Sequence, residues 1–434
     1  MNYFISFVDI FSYTWLTFKQ IDRLCVYNCS VFKGVLIMWN FLVVLLAVVF
    51  YCLTSDFYKQ LSPVSYNVSL PGKFSGALAP NELLDKVEHI HENDLHWPES
   101  FASFKGQLYT GLGDGRIVKI TDKEIIPVCR TGVTCEGTHE EHICGRPLGL
   151  VFNKAGNLYA VDGYLGLFKI DTSTGKKINI LPSKTIVEDL PLTFLNSLTF
   201  DEKEENLYIT QSSTRWNISS VIVSILEHDT SGRLLKYNLK TKKVTVVLKD
   251  LAFANGVVLT HDGTALLIAE GSNNKIFKYH IAGPKEGLNE ELPIKLPGEP
   301  DNIKRSKNGN YWVTVATART VENPTILDRI SDKPLIRSIF LHVHRLSTAP
   351  ISAVLQFVPY KKVKEIGYEL QNARILADIF INYGMIIEFN DKGQIVRSLH
   401  SPSGKVSHLS EVFEHNGYLY LGSWRNHYIG RLKM

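Results

Sequence analysis

Six short segments of this chain nearly repeat one another, and they constrain its fold more than any other feature. Each has one or two turn residues followed by an aromatic or aliphatic strand pattern: GQLYTG, GNLYAV, ENLYIT, GTALLI, GNYWVT and GYLYLG, which begin at residues 106, 156, 205, 263, 309 and 417. The first five segments start 46 to 58 residues apart, and the sixth follows after 108 residues. Strand repeats of about 40–50 residues are typical of β-propeller blades. The sequence therefore predicts an all-β, six-bladed β-propeller whose long last interval contains an insertion.

A short apolar or mixed run precedes each repeat and is predicted to be the innermost strand of its blade. The residues expected to start these strands are Glu99, Leu148, Asn196, Asn255, Asn302 and Ser410, and Asp301 adjoins one of them. Inner strands line the central channel of a propeller, so their first residues should converge near its axis. Calcium accepts about 6–8 carboxylate and amide oxygens, whereas zinc and copper favour thiolate and imidazole ligands.

The oxygen ligands in this register predict a calcium site formed by Glu99, Asn196, Asn255, Asp301 and Asn302. The alternative interpretation is that Asn and Asp at the start of a strand are ordinary turn residues. Four such residues in one register favour the metal site.

An uncharged segment near the N-terminus predicts a membrane anchor. Residues 34–55 contain no charged residue and are mostly apolar, and about 20 such residues can span a bilayer as one helix. Lys19, Arg23 and Lys33 precede the segment and Lys59 follows it, which by the positive-inside rule keeps residues 1–33 in the cytoplasm. The alternative is a cleaved signal peptide, but no small-residue cleavage site follows the run. We therefore expect a single-pass type II protein of the plasma membrane or endoplasmic reticulum, with its propeller extracellular or lumenal.

The remaining chain divides into a linker and lead-in at residues 56–94 and a propeller at residues 95–434. Within the propeller, residues 328–384 depart from the repeat and show partly helical spacing of apolar residues. The apolar run at Ile339, Phe340, Leu341 and Val343 could contact a membrane or pack on the propeller. The net charge of +4 over 434 residues is small, and no basic stripe with interleaved aromatics predicts a nucleic-acid partner.

Cysteines and glycosylation sequons fit an oxidising compartment. Cys135 and Cys144 flank a short segment that also contains His139 and His142. Their spacing matches no zinc-ribbon or zinc-finger pattern, so a disulfide is predicted, with Cys129 left free or paired elsewhere. Sequons at Asn67 and Asn217 predict glycans on the far side of the membrane.

Several motifs give the chain a resemblance to the strictosidine synthase-like family and, more widely, to paraoxonases and lactonases. They are CGRPLG at 144–149, DTSGRLL at 229–235, ANGV at 254–257, PDNI at 300–303, YWV at 311–313 and YLYLGS at 418–423. The resemblance implies a six-bladed fold and places the paraoxonase calcium ligands on the five residues found from the register. It also implies two departures. Leu148 stands where paraoxonases carry a candidate histidine base, and Ser410 stands where the plant synthase carries its catalytic glutamate, so alkaloid condensation is not expected.

Two functions remain open from the sequence. The first is a calcium-dependent hydrolase with weak arylesterase or lactonase activity toward a small ester or lactone. Its catalytic residues are unassigned, although Glu99, Asp301 or His408 could assist a water molecule. The second is a non-catalytic membrane glycoprotein with structural calcium that binds a partner.

Overall fold

The computed structural model describes residues 60–376 and 382–434, together with Trp39, Leu42 and Val43. The chain divides into two units, Met1–Ser62 and Pro63–Met434, of which the second is compact. The predicted cytoplasmic segment 1–33 lies outside the described residues, as does nearly all of the predicted span 34–55. Among the described helices, none is both long and apolar enough to cross a bilayer.

Six four-stranded antiparallel sheets and one small hairpin make up the strands of the described chain. In chain order the first three sheets are β2 (Phe101–Phe104), β3 (Gln107–Gly111), β4 (Arg116–Ile120) and β5 (Ile125–Arg130); β6 (Pro147–Phe152), β7 (Leu158–Asp162), β8 (Gly166–Ile170) and β9 (Lys177–Pro182); and β12 (Phe194–Phe200), β13 (Asn206–Ser213), β14 (Gly232–Asn238) and β15 (Val244–Leu251). The hairpin is β10 (Ile186–Val187) with β11 (Leu190–Pro191).

The other three sheets complete the domain. They are β16 (Ala254–Leu259), β17 (Ala265–Glu270), β18 (Lys275–His280) and β19 (Asn289–Glu291); β20 (Gly298–Arg305), β21 (Tyr311–Ala318), β22 (Gly384–Phe389) and β23 (Ile395–Ser401); and β24 (Leu409–His415), β25 (Tyr418–Ser423) and β26 (Ile429–Lys433) with β1 (Glu88–Ile90). Each repeat of the sequence supplies the second strand of a sheet. The residue that begins the repeat lies in the turn between the first and second strands.

The sheets are arranged in a ring. The first strands β2, β6, β12, β16, β20 and β24 each contact the next one, and β24 contacts β2. The ring is closed by β1, which comes from the lead-in and pairs with the C-terminal β26, Glu88 opposite Arg431 and Ile90 opposite Ile429. Apolar side chains fill the space between neighbouring sheets, as where Leu267 and Ile276 pack with Val313 and Met385. The predicted propeller-like architecture is confirmed.

Five helices interrupt the strands of the described residues: α1 (Glu141–Cys144), α2 (Val221–Glu227), α3 (Ile326–Ile330), α4 (Pro334–Leu355) and α5 (Lys361–Gln371). The last three lie between β21 and β22, which are adjacent strands of one sheet. The helical segment thus leaves the fifth sheet and returns to it. Helix α3 begins with a capping box, in which the Thr325 hydroxyl accepts a hydrogen bond from the Asp328 backbone and Asp328 accepts one from Thr325.

Candidate functional site

The five candidate ligands lie in or just before inner strands and are all buried. Asn196, Asn255 and Asn302 lie in β12, β16 and β20, Asp301 precedes Asn302, and Glu99 lies two residues before β2. Their exposed fractions are between 2% and 9%. Polar side chains are rarely buried to this degree unless a partner or an ion compensates them.

Irregular strand pairing accompanies the candidates. The register between first and second strands shifts between Leu195 and Leu198, between Ala254 and Val257, and between Pro300 and Ile303. These intervals contain all four candidates beyond Glu99. A β-bulge redirects the side chains of the bulged strand. Such a bulge removes the strict alternation that would otherwise send the adjacent residues Asp301 and Asn302 to opposite faces.

Glycines allow the first strands to approach one another at the same level. A Cβ atom on Gly256 would lie 2.5 Å from the Ile303 backbone nitrogen and 2.7 Å from the Asp301 carbonyl oxygen. A Cβ on Gly149 would lie 3.0 Å from the carbonyl oxygen of Asn196. Both positions would force the inner strands apart if they carried a side chain, so the close ring of candidate ligands depends on these two glycines.

The amide candidates have unmet hydrogen-bonding capacity. Among the described residues, no partner is found for the side-chain oxygen of Asn255 or for either amide atom of Asn302. Asn196 differs, because its amide nitrogen donates to the Ser212 hydroxyl at 3.0 Å and this hydroxyl donates to Ala254. A buried amide oxygen without a donor costs about 1–3 kcal/mol, and a bound cation would remove that cost.

The carboxylates at the centre are strongly perturbed. Burial raises the pKa of Asp301 well above its ordinary value, and the charge of Glu99 raises it further, whereas a hydrogen bond with Asn255 lowers it. Burial also raises the pKa of Glu99, against the opposing effect of Arg146. The mutual influence of these groups shows that the structure brings Glu99, Asn255 and Asp301 together. Two buried carboxylates with amide oxygens are the donor set of a hard divalent cation.

Two charged neighbours of this cluster escaped the sequence analysis. The Arg146 guanidinium lies 3.1 Å from a Glu99 carboxylate oxygen. Glu411 accepts a hydrogen bond from the Phe101 backbone at 2.7 Å and lies 3.2 Å from the Lys304 ammonium. Burial raises the pKa of Glu411 to about 7, although Lys304 opposes the shift. The Arg146–Glu99 and Lys304–Glu411 pairs each join residues far apart in the chain, so no local sequence signal identifies them.

Arg146 also connects the centre to the helical segment. It stacks on Trp97 and lies 3.8 Å from Glu141 of α1, and Glu141 in turn forms an ion pair with Arg374, just beyond α5. Tyr368 of α5 donates to the same Glu141 carboxylate at 3.0 Å. Burial alone would raise the pKa of Glu141, but the nearby arginines hold it below its ordinary value. A chain of buried charges therefore runs from Glu99 to the helical segment.

Leu148 lies in an apolar cluster. It packs with Phe194 and Ile218, and Tyr164 and Phe253 border the group. Phe194 lies two residues before Asn196, and Phe253 lies two residues before Asn255. The polar centre is thus flanked by an apolar wall contributed by the same strand beginnings.

Ser410, in the sixth inner strand, forms hydrogen bonds with residues in or next to neighbouring sheets. The Ser410 hydroxyl donates to the Glu99 carbonyl oxygen, and the Ser410 carbonyl accepts a hydrogen bond from Thr314 at 2.8 Å. His408 lies before this strand, where Nδ1 is 2.9 Å from the Ser407 hydroxyl and the ring contacts Trp424 edge to face.

Cys135 and Cys144 are joined in a disulfide. This bond closes the loop that leads into α1 and removes both sulfurs from any metal site. Cys129 is free, and burial raises the pKa of its thiol to about 11, which makes it a poor nucleophile at neutral pH. Within the described residues, the only group of His, Cys, Asp and Glu side chains with metal-ligand spacing is Glu136, His139 and Glu140 in the same loop.

The comparisons with known proteins place the chain in a family. A family model described as strictosidine synthase matches residues 196–284, and one described as strictosidine synthase-like, N-terminal, matches residues 76–120. The adipocyte plasma membrane-associated protein of Salmo salar is 35% identical over 94% of this chain and 92% of its own length. The protein of that name from Rattus norvegicus is 35% identical over 87% of this chain and 93% of its own length. The chain belongs to the strictosidine synthase-like family.

A solved structure supports the fold of this strictosidine synthase-like protein. A gluconolactonase from Xanthomonas campestris superimposes with a TM-score of 0.50 over 85% of this chain and 96% of its own, at 11% identity. At that identity the likeness concerns the fold alone. The two matched family regions contain Glu99, Asn196 and Asn255 of the central cluster.

Proposed function

We propose that this strictosidine synthase-like protein is a membrane-anchored, calcium-binding propeller with six blades and slow arylesterase or lactonase activity. The observation that carries the proposal is the buried cluster of Glu99 and Asp301 with the unpartnered amide oxygens of Asn255 and Asn302. Two carboxylates would balance the charge of a divalent ion, and the amides would supply neutral oxygens.

The residues that would hold calcium are Glu99, Asn196, Asn255, Asp301 and Asn302. Bound there, calcium would polarise an ester carbonyl as a Lewis acid. The chain's own contribution would be binding. Leu148 and Phe194 would pack against the apolar part of an ester and exclude water from it.

Slow chemistry follows from the identity of residue 148. Leu148 occupies the position at which the resemblance to paraoxonases expects a histidine base, and its neighbours are apolar. A positioned general base contributes about 10²–10⁴-fold to a rate. Leu148 cannot supply that factor.

The leucine at position 148 also favours a second candidate function. A calcium site with leucine in place of the expected histidine base suits a structural ion in a non-catalytic glycoprotein that binds a partner. Asn67 and Asn217 are both exposed, as glycan acceptors must be. The relatives are named as plasma membrane-associated proteins, which supports membrane association.

The deciding experiment is hydrolysis of phenyl acetate and a γ-lactone by the purified full-length protein. We expect slow turnover that is lost with a calcium chelator and restored by added calcium. Asp301→Asn should abolish it, and Leu148→His should increase it. A folded protein that gains stability from calcium but has no activity, with or without Leu148→His, would establish the non-catalytic function instead.

A further inference from the structure

Helix α4 packs against its own domain with a mostly polar face. Its buried residues are Arg337, Leu341, Thr348 and Ser352, of which three are polar. Its exposed apolar residues include Leu335, Ile339 and Val343, at 72%, 54% and 60% exposure, with Ile336, Phe340, Ile351 and Val354 beside them. An amphipathic helix on a globular protein normally buries its apolar stripe. Here the stripe points outward.

Hydrogen bonds fix this orientation. The Arg337 guanidinium donates to the carbonyl oxygen of Leu226 at 2.7 Å and to that of Ser331 at 3.0 Å. The Ser352 hydroxyl donates to the Gly367 carbonyl at 2.8 Å, which ties α4 to α5. Turning the helix to bury its apolar stripe would break these bonds and leave the arginine without its carbonyl partners. The outward apolar face is therefore a built feature of the fold.

The apolar surface continues beyond the helix and ends in basic residues. Phe357 and Tyr360, in the connection to α5, are 88% and 70% exposed. Lys361 and Lys362 follow directly and are exposed. Apolar side chains bordered by an aromatic residue and lysines are the composition of helices that lie in the interface of a bilayer.

The chain connection indicates which surface covers this face. The segment after the predicted anchor docks at the start of α4: the Tyr66 backbone donates to Ser331, and the Arg337 guanidinium donates to Val64 and lies over the Tyr66 ring. Residue 64 follows residue 55 by nine positions. Nine residues span at most about 30 Å even when fully extended. The N-terminal end of α4 is thus tethered near the membrane that the anchor would enter.

We propose that the outer face of α4 and the following connection, residues 335–360, rest on the bilayer that holds the anchor. The inference depends on the membrane anchor of the proposed function. It adds that the domain has a fixed membrane-facing side.

The test uses the full-length protein in phosphatidylcholine nanodiscs that carry a photoactivatable acyl chain, with lipid adducts mapped by mass spectrometry. Adducts are expected on peptides covering residues 34–55 and 334–360. The variant Leu335→Glu, Ile339→Glu, Val343→Glu should lower adducts on the second peptide at least about fivefold, because charged residues leave the apolar layer. Adducts on the first peptide should be unchanged.

The matched control is Ile178→Glu with Ile186→Glu. Both isoleucines are 63% exposed, and they lie on strands β9 and β10. It should change neither set of adducts. Adducts on 34–55 alone would overturn the docking proposal and leave the anchor intact, whereas adducts on neither peptide would overturn the anchor itself. If the triple variant instead dissociated a dimer seen in detergent, and no lipid adducts formed at 334–360, the face would bind a second copy and the proposal would be wrong.

Discussion

The centre of the ring and the outer face of α4 reverse the usual distribution of polarity in opposite ways. At the centre, carboxylates and amides are buried with hydrogen-bonding atoms left over. On α4, leucine, isoleucine and valine are exposed while an arginine is buried. Each arrangement is costly for an isolated domain, the first through desolvation of charge and the second through hydration of apolar surface. A bound cation would offset the cost at the centre, and an apolar surface that covers α4 would offset the cost on the helix.

The two regions are also physically linked. Glu141 lies between them, paired with Arg374 on the helical side and near Arg146 on the side of Glu99. A change in one region should therefore alter the stability of the other.

The largest expected effect comes from Arg374→Ala. Arg374 and Glu141 are both almost fully buried, so removing the arginine takes the closest cation away from a buried carboxylate, at a cost of about 3–5 kcal/mol in the free energy of unfolding. Denaturant unfolding measures this cost. Lys364→Ala is the control, because its pair with Glu136 is exposed and should contribute about 0–1 kcal/mol. Equal effects of the two variants would mean that the link is not buried in solution.

Removal of a calcium ligand should have the next largest effect. Calcium at 100 times its Kd should stabilise the native protein by about 2.7 kcal/mol, and Asn255→Ala or Asp301→Ala should abolish that gain. The thermal midpoint with and without calcium measures it. Glu388→Gln removes a buried carboxylate that pairs with Arg397, away from the cluster, and should leave the gain intact. A wild-type protein that shows no calcium-dependent shift would contradict the site.

The disulfide should have a comparable or slightly smaller effect. It closes a loop with a sequence separation of 9 that leads into the helix bearing Glu141. Cys135→Ser with Cys144→Ser should cost about 2–3 kcal/mol by the chain-entropy model. Cys129→Ser should cost less, since Cys129 is free. Recovery of both Cys135 and Cys144 as alkylated free thiols from unreduced protein would contradict the bond.

The smallest expected effect is a pH dependence. Burial raises the pKa of Glu99 and Asp301, so without calcium the folded protein is favoured at low pH and loses stability as pH rises through these raised values. Calcium requires the ionised carboxylates, so the calcium-dependent shift in Tm should be larger at about pH 8 than at about pH 5.5. An equal shift at both pH values would contradict calcium binding by carboxylates with raised pKa values.

Local sequence was sufficient for much of the fold. The turn-plus-strand repeats predicted the propeller-like architecture because each repeat is a hairpin whose pattern depends on neighbouring residues. The register selected Glu99, Asn196, Asn255, Asp301 and Asn302, which are all buried and lie in or just before inner strands, and their binding of calcium stays a prediction. The spacing of Cys135 and Cys144 was also sufficient, because a short loop brings its own ends together.

What the sequence alone determined is therefore the part that repeats or closes locally: the strands, their turns and the residues at their beginnings. Only the tertiary structure decided that Arg146 meets Glu99, that Arg374 meets Glu141 and that Lys304 meets Glu411, because these pairs join segments 47, 233 and 107 residues apart. It also decided the orientation of α4. The apolar spacing of that helix predicts one apolar stripe, but hydrogen bonds from Arg337 to distant carbonyl groups turn the stripe outward.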